Sequence, residues 1–389
     1  MRHPTLLLIS LVSRIGSGLA ASVSALYVTQ VVGLAPRSVG LALTATTAVA
    51  VAGSIWLGQL SDRLGAREVY AAMFGLQALA TVGLVFVSSV PTYVVALLAL
   101  AIADLGYRSS QGAVIHAVVP ATERLAVRAT VRVAANIGVA VGAGLGGFAL
   151  LVGSPTAYRV ALLTTAGLLL VTGLLVFRLP RVAAVGEALS WAVLRDRPFM
   201  LFMGLNGVLN MHNSMLTVAV PLWIATRTDV PHWMVSVLLI VNTCAVVLFQ
   251  IRLTRGTDSL GGAARAGRRA GLLLCLACLV LSVTSLTSTA VTVALLVLAA
   301  LAHVTGEILE SASSWGTSYA VAPPGLVGQY QGAHAMGRGI GDLIGPTLLV
   351  AVALPLGGAG WLLIAIIFAV AGLLTPVVLR RDLQLVGQR

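Results

Sequence analysis

The chain reads as a succession of long apolar runs separated by short polar breaks. The runs fall at about 5–32, 38–60, 69–88, 92–119, 129–153, 157–177, 198–225, 231–252, 270–288, 290–320, 329–353 and 358–379. A helix that crosses a bilayer needs ~20 apolar residues, and each run is close to that length or longer. The pattern therefore predicts twelve membrane-spanning helices. The longest break, 178–197, sets Arg178, Arg181, Glu187, Arg195, Asp196 and Arg197 around an apolar centre with Trp191. It reads as an amphipathic linker lying on the cytoplasmic membrane face. The linker separates an N-terminal six-helix bundle, residues 1–177, from a C-terminal one, residues 198–389.

The two halves repeat each other. Pro4 opens the first run and Pro198 the seventh; Pro36-Arg37-Ser38 stands at the start of the second and Pro231-His232-Trp233 at the start of the eighth. The fifth run carries Gly138, Gly142 and Gly146 at every fourth position, and the eleventh carries Gly337, Gly341 and Gly345 in the same frame. Helices in lipid have no hydrophobic reason to associate, so close backbone approach through small residues takes over that role. Gly345 is followed by Pro346, which removes a backbone hydrogen bond and predicts a kink there. Parallel halves related by an axis along the membrane normal are a transporter architecture.

Composition agrees with the pattern. Of 389 residues, 58% are hydrophobic and 9% charged, where a soluble domain carries about 25% charged. The mean hydropathy is +1.00. Too few charges are present to build a soluble surface. A soluble enzyme, a nucleic-acid binder and a secreted disulfide scaffold are all excluded as readings, and the N-terminus does not have the form of a cleaved signal peptide. The three cysteines, Cys244, Cys275 and Cys278, form no disulfide framework, and the Cys275/Cys278 spacing lies inside an apolar helix where packing is the expected role.

The net charge of +12 comes from 24 arginines and no lysine. Seventeen of the arginines fall in segments that share one side of a twelve-span topology, three (Arg37, Arg159, Arg227) on the other, and Arg14, Arg108, Arg132 and Arg338 lie within or at the edge of runs. The positive-inside rule then places both termini in the cytoplasm.

Ionisable side chains inside a span cost at least ~2.5–3.5 kcal/mol each on insertion scales, so they line cavities or pair. Four runs place three polar groups at i, i+4, i+7, the spacing of one helical face. These are Ser10, Arg14, Ser17 in the first; Asp104, Arg108, Gln111 in the fourth; Asn206, Asn210, Asn213 in the seventh; and His303, Glu307, Glu310 in the tenth. Ser10 and Ser17 are expected to bond their own helix carbonyls. Asp104 and Arg108 could be a self-neutralising pair, but protonation of Asp104 would free Arg108. The asparagines could be interhelical glue. The face with His303, Glu307 and Glu310 is the strongest signal. Two like charges one turn apart in a low dielectric are costly, which is what a proton carrier exploits. A metal cation held by the histidine and two carboxylates is the less favoured alternative. His212 and His334 are expected to be packing residues, Arg338 and Asp342 (i, i+4) to satisfy each other, and Trp56, Trp223, Trp233 and Trp361, near run ends, to be interface anchors. Trp315 is expected to shape the inner end of a cavity.

Two motifs carry a resemblance. After the second run stands Gly58-Gln59-Leu60-Ser61-Asp62-Arg63-Leu64-Gly65-Ala66-Arg67. It resembles the loop 2–3 signature of the major facilitator superfamily, G-x-L-[AS]-D-R-x-G-x-[RK], at every specified position. Arg108-Ser109-Ser110-Gln111-Gly112 in the fourth run is similar to that superfamily's R-x-x-Q-G signature. The exporters' fifth-span G-P-x-x-G-G is matched only in its glycines, as Gly142-Ala143-Gly144-Leu145-Gly146-Gly147. The resemblance implies an all-α membrane protein of two pseudo-symmetric six-helix bundles whose first, fourth, seventh and tenth helices line a central cavity. It implies proton coupling through Asp104, Arg108, His303, Glu307 and Glu310, and a substrate cavity with Arg14, Gln111, Asn206, Asn210, Asn213 and Trp315. It also implies a conformational latch at Gly58, Asp62, Arg63, Gly65 and Arg67.

The expected function is a secondary active transporter of the cell membrane that exports a small molecule against protons, without cofactor or resident metal, working as a monomer. ATP is not the expected energy source, since a chain without lysine has no Walker lysine. A proton-coupled nutrient importer, and a non-transporting sensor of the same fold, are the alternatives.

Overall fold

The structure is a computed structural model that describes residues 3–182, 184, 191–257 and 259–386, with side chains described as far as residue 379. Every regular element among the described residues is helical. Among the described residues, twelve helices are long and apolar enough to cross a membrane, as the run pattern predicts. They are α1 Pro4–Val31, α2 Pro36–Leu64, α3 Ala66–Val85, α4 Val90–Val118, α5 Ala121–Val152, α6 Pro155–Val176, α7 Arg197–Arg227, α8 Met234–Leu253, α9 Leu260–Leu286, α10 Thr289–Val321, α11 Val327–Leu356 and α12 Gly358–Leu379.

The starts of these helices follow local chemistry. Proline stands in the first turn of α1, α2, α4 and α6, where its missing N–H is no loss. The Ser154, Asp196 and Ser259 side chains accept from backbone N–H groups at the starts of α6, α7 and α9. Each such cap satisfies a donor that the helix itself cannot.

The chain divides into two compact units, one comprising Met1–Ser190 with Pro323–Met336, the other Trp191–Ala322 with Gly337–Arg389. The first turns of α11 thus cluster with the first unit and the remainder of that helix with the second. Of the linker expected over 178–197, residues 183 and 185–190, including Glu187, lie outside the described residues. Beyond them Trp191 is exposed and Ala192–Arg195 forms a short helix.

Within the first unit α1 packs on α5 and α6, α2 on α4, and α3 on α4 and α6. Within the second, α7 packs on α12, α8 on α10, and α9 on α10 and α12. The glycine frames complete the correspondence. A Cβ at Gly138 would lie 2.6 Å from Leu11 O, and one at Gly142 would collide with Ile15 O. On α11 a Cβ at Gly337 would lie 2.7 Å from Met203 O, and one at Gly341 would collide with Gly207 O. Glycine is therefore what lets α5 approach α1 and α11 approach α7 at backbone distance. Both Pro346 and Pro355 lie inside α11, which is helical from Val327 to Leu356.

Helix α7 is discontinuous. Its first stretch ends at Asn210, a single turn His212–Ser214 follows, and the helix widens to a π-turn over Met215–Ala219 before resuming at Val220. Pro221 has no N–H to offer the carbonyl four residues back, and its ring crowds that carbonyl. The preceding turns take up the mismatch as a π-bulge.

Two tryptophans depart from the sequence expectation. Trp223 and Trp361 are fully buried and meet edge to face, with ring centroids 5.7 Å apart. The Trp223 indole N–H donates to Thr284 Oγ1 at 2.8 Å. Both belong to the second unit's apolar core rather than to an interface. Thr284 supplies Trp223 with the partner that an interface would otherwise offer, whereas the Trp361 indole N–H has no hydrogen-bond partner among the described residues. Trp56 and Trp233 are exposed.

Candidate functional site

Two polar clusters stand out, one inside each unit. In the second unit it is built on α7 and α10, the helices whose asparagine and acidic faces the sequence marks. Glu310 is 0% exposed and is gripped from three directions. Asn206 Nδ2 donates to its Oε1 at 2.7 Å, Arg338 Nη1 donates at 3.2 and 3.3 Å, and Ser311 Oγ donates to Oε2 at 3.2 Å. Ser314 Oγ in turn donates to Asn206 Oδ1 at 2.9 Å, which fixes the amide's orientation. A buried carboxylate is costly unless paired and hydrogen-bonded, and this one is both.

Arg338 therefore serves Glu310, and not Asp342 one turn along its own helix as expected. Asp342 instead accepts from Asn210 Nδ2 at 2.8 Å and from Asn213 Nδ2 at 3.4 Å. Sequence spacing put the two charges on one face of α11; the stronger partners lie on α10 and α7.

A few ångströms from Glu310 lies a second group. His212 Nε2 is 3.7 Å from Glu310 Oε2, and the His212 and His303 rings meet edge to face with centroids 5.1 Å apart. Glu307 Oε2 accepts from Asn242 Nδ2 at 2.8 Å, and His303 Nδ1 lies 3.9 Å from the same oxygen. His212, expected to be a packing residue, thus sits between the two acidic groups. The break in α7 puts it there.

The first unit's cluster is more open. Arg108 Nε donates to Asp104 Oδ2 at 2.7 Å, and both side chains are more than a third exposed. Gln111 Nε2 donates to Tyr70 Oη at 3.0 Å, and Arg128 Nη1 donates to Gln111 Oε1 at 2.7 Å. Arg14 lies over the Tyr107 ring, 5.3 Å from its centroid. Helices α1, α3, α4 and α5 all contribute, so cationic and aromatic groups share this face. Ser17 bonds its own helix at Ser13 O, whereas Ser10 Oγ crosses to Val131 O on α5. Trp315 is half-buried, and its carbonyl accepts from Ser318 Oγ at 3.1 Å.

The loop signature takes a defined form. Asp62 accepts from two backbone N–H groups, Gly328 at 2.6 Å and Gln329 at 2.9 Å, at the N-terminus of α11. The free donors and positive dipole end of a helix start favour a carboxylate there. Gly58 allows the approach, since a Cβ on it would collide with Gly328 O. Gly65 turns the chain between α2 and α3 at φ 93°, a left-handed conformation that a side chain would resist. Arg67 does not pair with Asp62. Its Nη2 donates to Glu68 Oε1 at 2.7 Å and its Nη1 to Leu179 O at 3.2 Å, tying the loop to the end of α6. Arg63 is exposed.

The sequence singled out neither Asn242 nor Tyr70, Tyr107 and Arg128. Asn242 carried a signal, as an amide in the middle of the apolar eighth run. The tyrosines carried none, because aromatic residues in apolar runs are ordinary core.

The arrangement has relatives in fold. The human organic anion transporter MFSD10 (TETRAN) is 15% identical, with 96% of this chain and 98% of that chain covered and a TM-score of 0.72. A bacterial homologue of the iron transporter ferroportin, in an outward-facing state, is 15% identical over 98% of this chain and 99% of that one, with a TM-score of 0.77. The nucleoside transporter NupG, in a point-mutant form, is 17% identical over 97% of this chain and 99% of that one, with a TM-score of 0.55. None of the curated proteins matches the chain. Residues 6–346 match the family profile described as Major Facilitator Superfamily. With that match over most of its length, two six-helix repeats and the loop signature seated on a helix start, the chain is a multi-pass membrane transporter that belongs to the Major Facilitator Superfamily.

Proposed function

We propose that the protein exports a small molecule across the cell membrane by alternating access, in exchange for protons. Both termini lie in the cytoplasm on this reading, which the arginine asymmetry supports. The two repeats would rock about a binding site near the bilayer midplane, the protein acting as a monomer with the proton gradient as its only energy source. The solved structures of similar fold carry titles that name an organic anion, iron and a nucleoside transporter, so fold alone does not select a substrate.

The observation that carries the reading is Glu310, a fully buried carboxyl held by Asn206 and Arg338 inside a spanning segment. Ionisable groups at such depth are expensive and mark ion pathways. Binding a proton would cancel its charge, release Arg338 and change which neighbours the pair can hold, a local charge change of the kind that biases one conformation over another. Asp104 with Arg108 is the second proton-coupling candidate, and Glu307 with His303 the third. Export over import rests on the joint presence of the loop 2–3 and fourth-helix signatures.

Inverted membrane vesicles test it. An acid interior should drive accumulation of a dye or drug substrate, and Glu310→Gln should abolish the gradient-driven part while the protein remains monodisperse. Unchanged gradient-driven accumulation in Glu310→Gln would move the proton to Asp104. Uptake into right-side-out vesicles driven by external acid would reverse the direction to import.

A further inference from the structure

Glu310 is held on every side; the two histidines beside it are not. His212, His303 and Glu307 are all buried, and each offers a ligand atom within 4.8 Å of those of the other two. Among the described residues, both ring nitrogens of His212, 0% exposed, and Nδ1 of His303, 2% exposed, have no hydrogen-bond partner. A buried polar atom left without a partner forfeits its hydration with nothing in exchange. Three such nitrogens on two adjacent rings, beside a carboxylate, ask for a common explanation.

The hydrogen bonds around the group supply one. His303 Nε2 lies 2.9 Å from the carbonyl of His212. A carbonyl only accepts, so Nε2 carries the proton and Nδ1 presents its lone pair toward Glu307. Asn242 donates to Glu307 Oε2 at 2.8 Å and orients that carboxylate. A ligand histidine whose far N–H is anchored on a carbonyl, and a ligand carboxylate steered by an amide, are the outer contacts that metal sites use.

The donor set selects the ion. Two imidazoles with one carboxylate suit divalent first-row transition metals, whereas magnesium and calcium prefer oxygen alone. Three protein donors leave further positions open, the form of an exchangeable site rather than a closed structural one. Metal–donor bonds of ~2.0–2.2 Å put tetrahedral donors about 3.4 Å apart, so the group has to close by roughly an ångström. His212 sits in the broken stretch of α7, where the backbone is not held by a continuous helical ladder. Discontinuous helices are where transporters hold their ions.

We propose that His212, His303 and Glu307 form a binding site for a divalent first-row transition-metal cation. Its role as cargo rests on the transport reading above; the site itself does not. Binding requires both rings neutral and the carboxylate ionised.

Cobalt(II) is the probe, because its visible d–d absorption reports nitrogen and oxygen ligation directly. The purified full chain in detergent, with Cys244→Ser and Cys275→Ser removing the more accessible thiols, should give a saturable band that Zn²⁺ displaces. Glu307→Gln and His303→Ala should weaken binding at least tenfold. Asn242→Ala leaves all three ligands in place and should weaken it by roughly 10–100-fold through the outer contact alone, so the test survives misfolding of a ligand variant. Absence of a saturable band in the parent, or parental affinity in both Glu307→Gln and Asn242→Ala, overturns the site. Proteoliposomes loaded with a metal-sensitive dye separate the two readings. A cobalt band without Co²⁺ flux refutes the cargo role alone, and gradient-driven flux of an organic solute without a cobalt band refutes the site alone.

Discussion

Removing either member of the Glu310–Arg338 pair should be costly, and removing both should cost less than the sum. Arg338 Nη1 stands 3.2 and 3.3 Å from the two carboxylate oxygens. At that separation two unit charges attract by about 5 kcal/mol at an effective dielectric of 20. Desolvating the ions takes back several kcal/mol, so the intact pair is near balance against an apolar replacement. The singles are not balanced. Arg338→Met leaves a carboxylate that is 0% exposed without its cation, though Asn206 and Ser311 still donate to it. Losing one partner of a buried pair costs ~3–5 kcal/mol. Glu310→Gln strands a guanidinium that is 19% exposed. Some water reaches it, and the loss should fall to the lower end of that range or beneath it.

The double variant Glu310→Gln/Arg338→Met leaves neither charge buried alone. A coupling of about 2–3 kcal/mol is expected from the cycle, near the upper end for residues in contact. Equilibrium unfolding in mixed dodecyl-maltoside/SDS micelles, followed by tryptophan fluorescence, measures it for all four proteins. Additivity of the singles within about 0.5 kcal/mol would refute the reasoning. The pair would then be a passive contact, and the proton-carrier argument for Glu310 would lose its electrostatic basis.

Other outcomes follow from the same geometry. Gly142→Ala should destabilise by ~1–3 kcal/mol as its methyl meets Ile15 O, whereas Gly144→Ala, with open space at its Cβ, should be neutral or gain up to ~1 kcal/mol in helix propensity; thermal unfolding of the two side by side decides, and equal losses would deny the α1–α5 approach its role. Asp62→Asn leaves one good acceptor where the carboxylate served both Gly328 N and Gln329 N, so turnover should slow much more than substrate affinity changes; an unchanged transport rate would reduce Asp62 to a local cap. Arg108→Ala should stop transport and Arg108→Lys recover little, since a planar fork engages Asp104 in a way an ammonium does not; full flux in the lysine variant would show that charge alone suffices.

Much of the fold was legible because lipid makes the code simple. Length and apolarity placed twelve helices, and errors fell where arginine interrupts the code. The apolar pattern starts the fifth run at 129 and the ninth at 270, whereas the helices begin at Ala121 and Leu260. Arg124 and Arg128 in one, and Arg265, Arg268 and Arg269 in the other, made helical turns look like loop. The glycine frames were legible for a different reason, since only close packing requires glycine at every fourth position. Pairing was not legible. Spacing says which residues share a face, not which helix that face meets. Spacing pairs Arg338 with Asp342 four residues on, and its partner is Glu310, 28 residues away. Position in their runs puts Trp223 and Trp361 at an interface, and in the fold each meets the other.

The two clusters differ in a way the repeat does not predict. The same helix pairings recur in both units, and α4 and α10 each carry a charged face at the same spacing. On α4 the pair Asp104–Arg108 is made within one helix, and both side chains are more than a third exposed. An ion pair at such a surface contributes ~1 kcal/mol or less and can open without consequence for the fold. On α10 the carboxylate of Glu310 is closed in by groups from α7 and α11, so its charge state is tied to the packing of three helices. A change of charge at Asp104 therefore acts on what the first cluster binds, whereas a change at Glu310 acts on how the second unit is held together. Coupling a proton to a conformational step needs the second kind of group. On the proton-coupled reading proposed above, that asymmetry, rather than the number of acidic residues on each face, ranks Glu310 ahead of Asp104 as the candidate carrier.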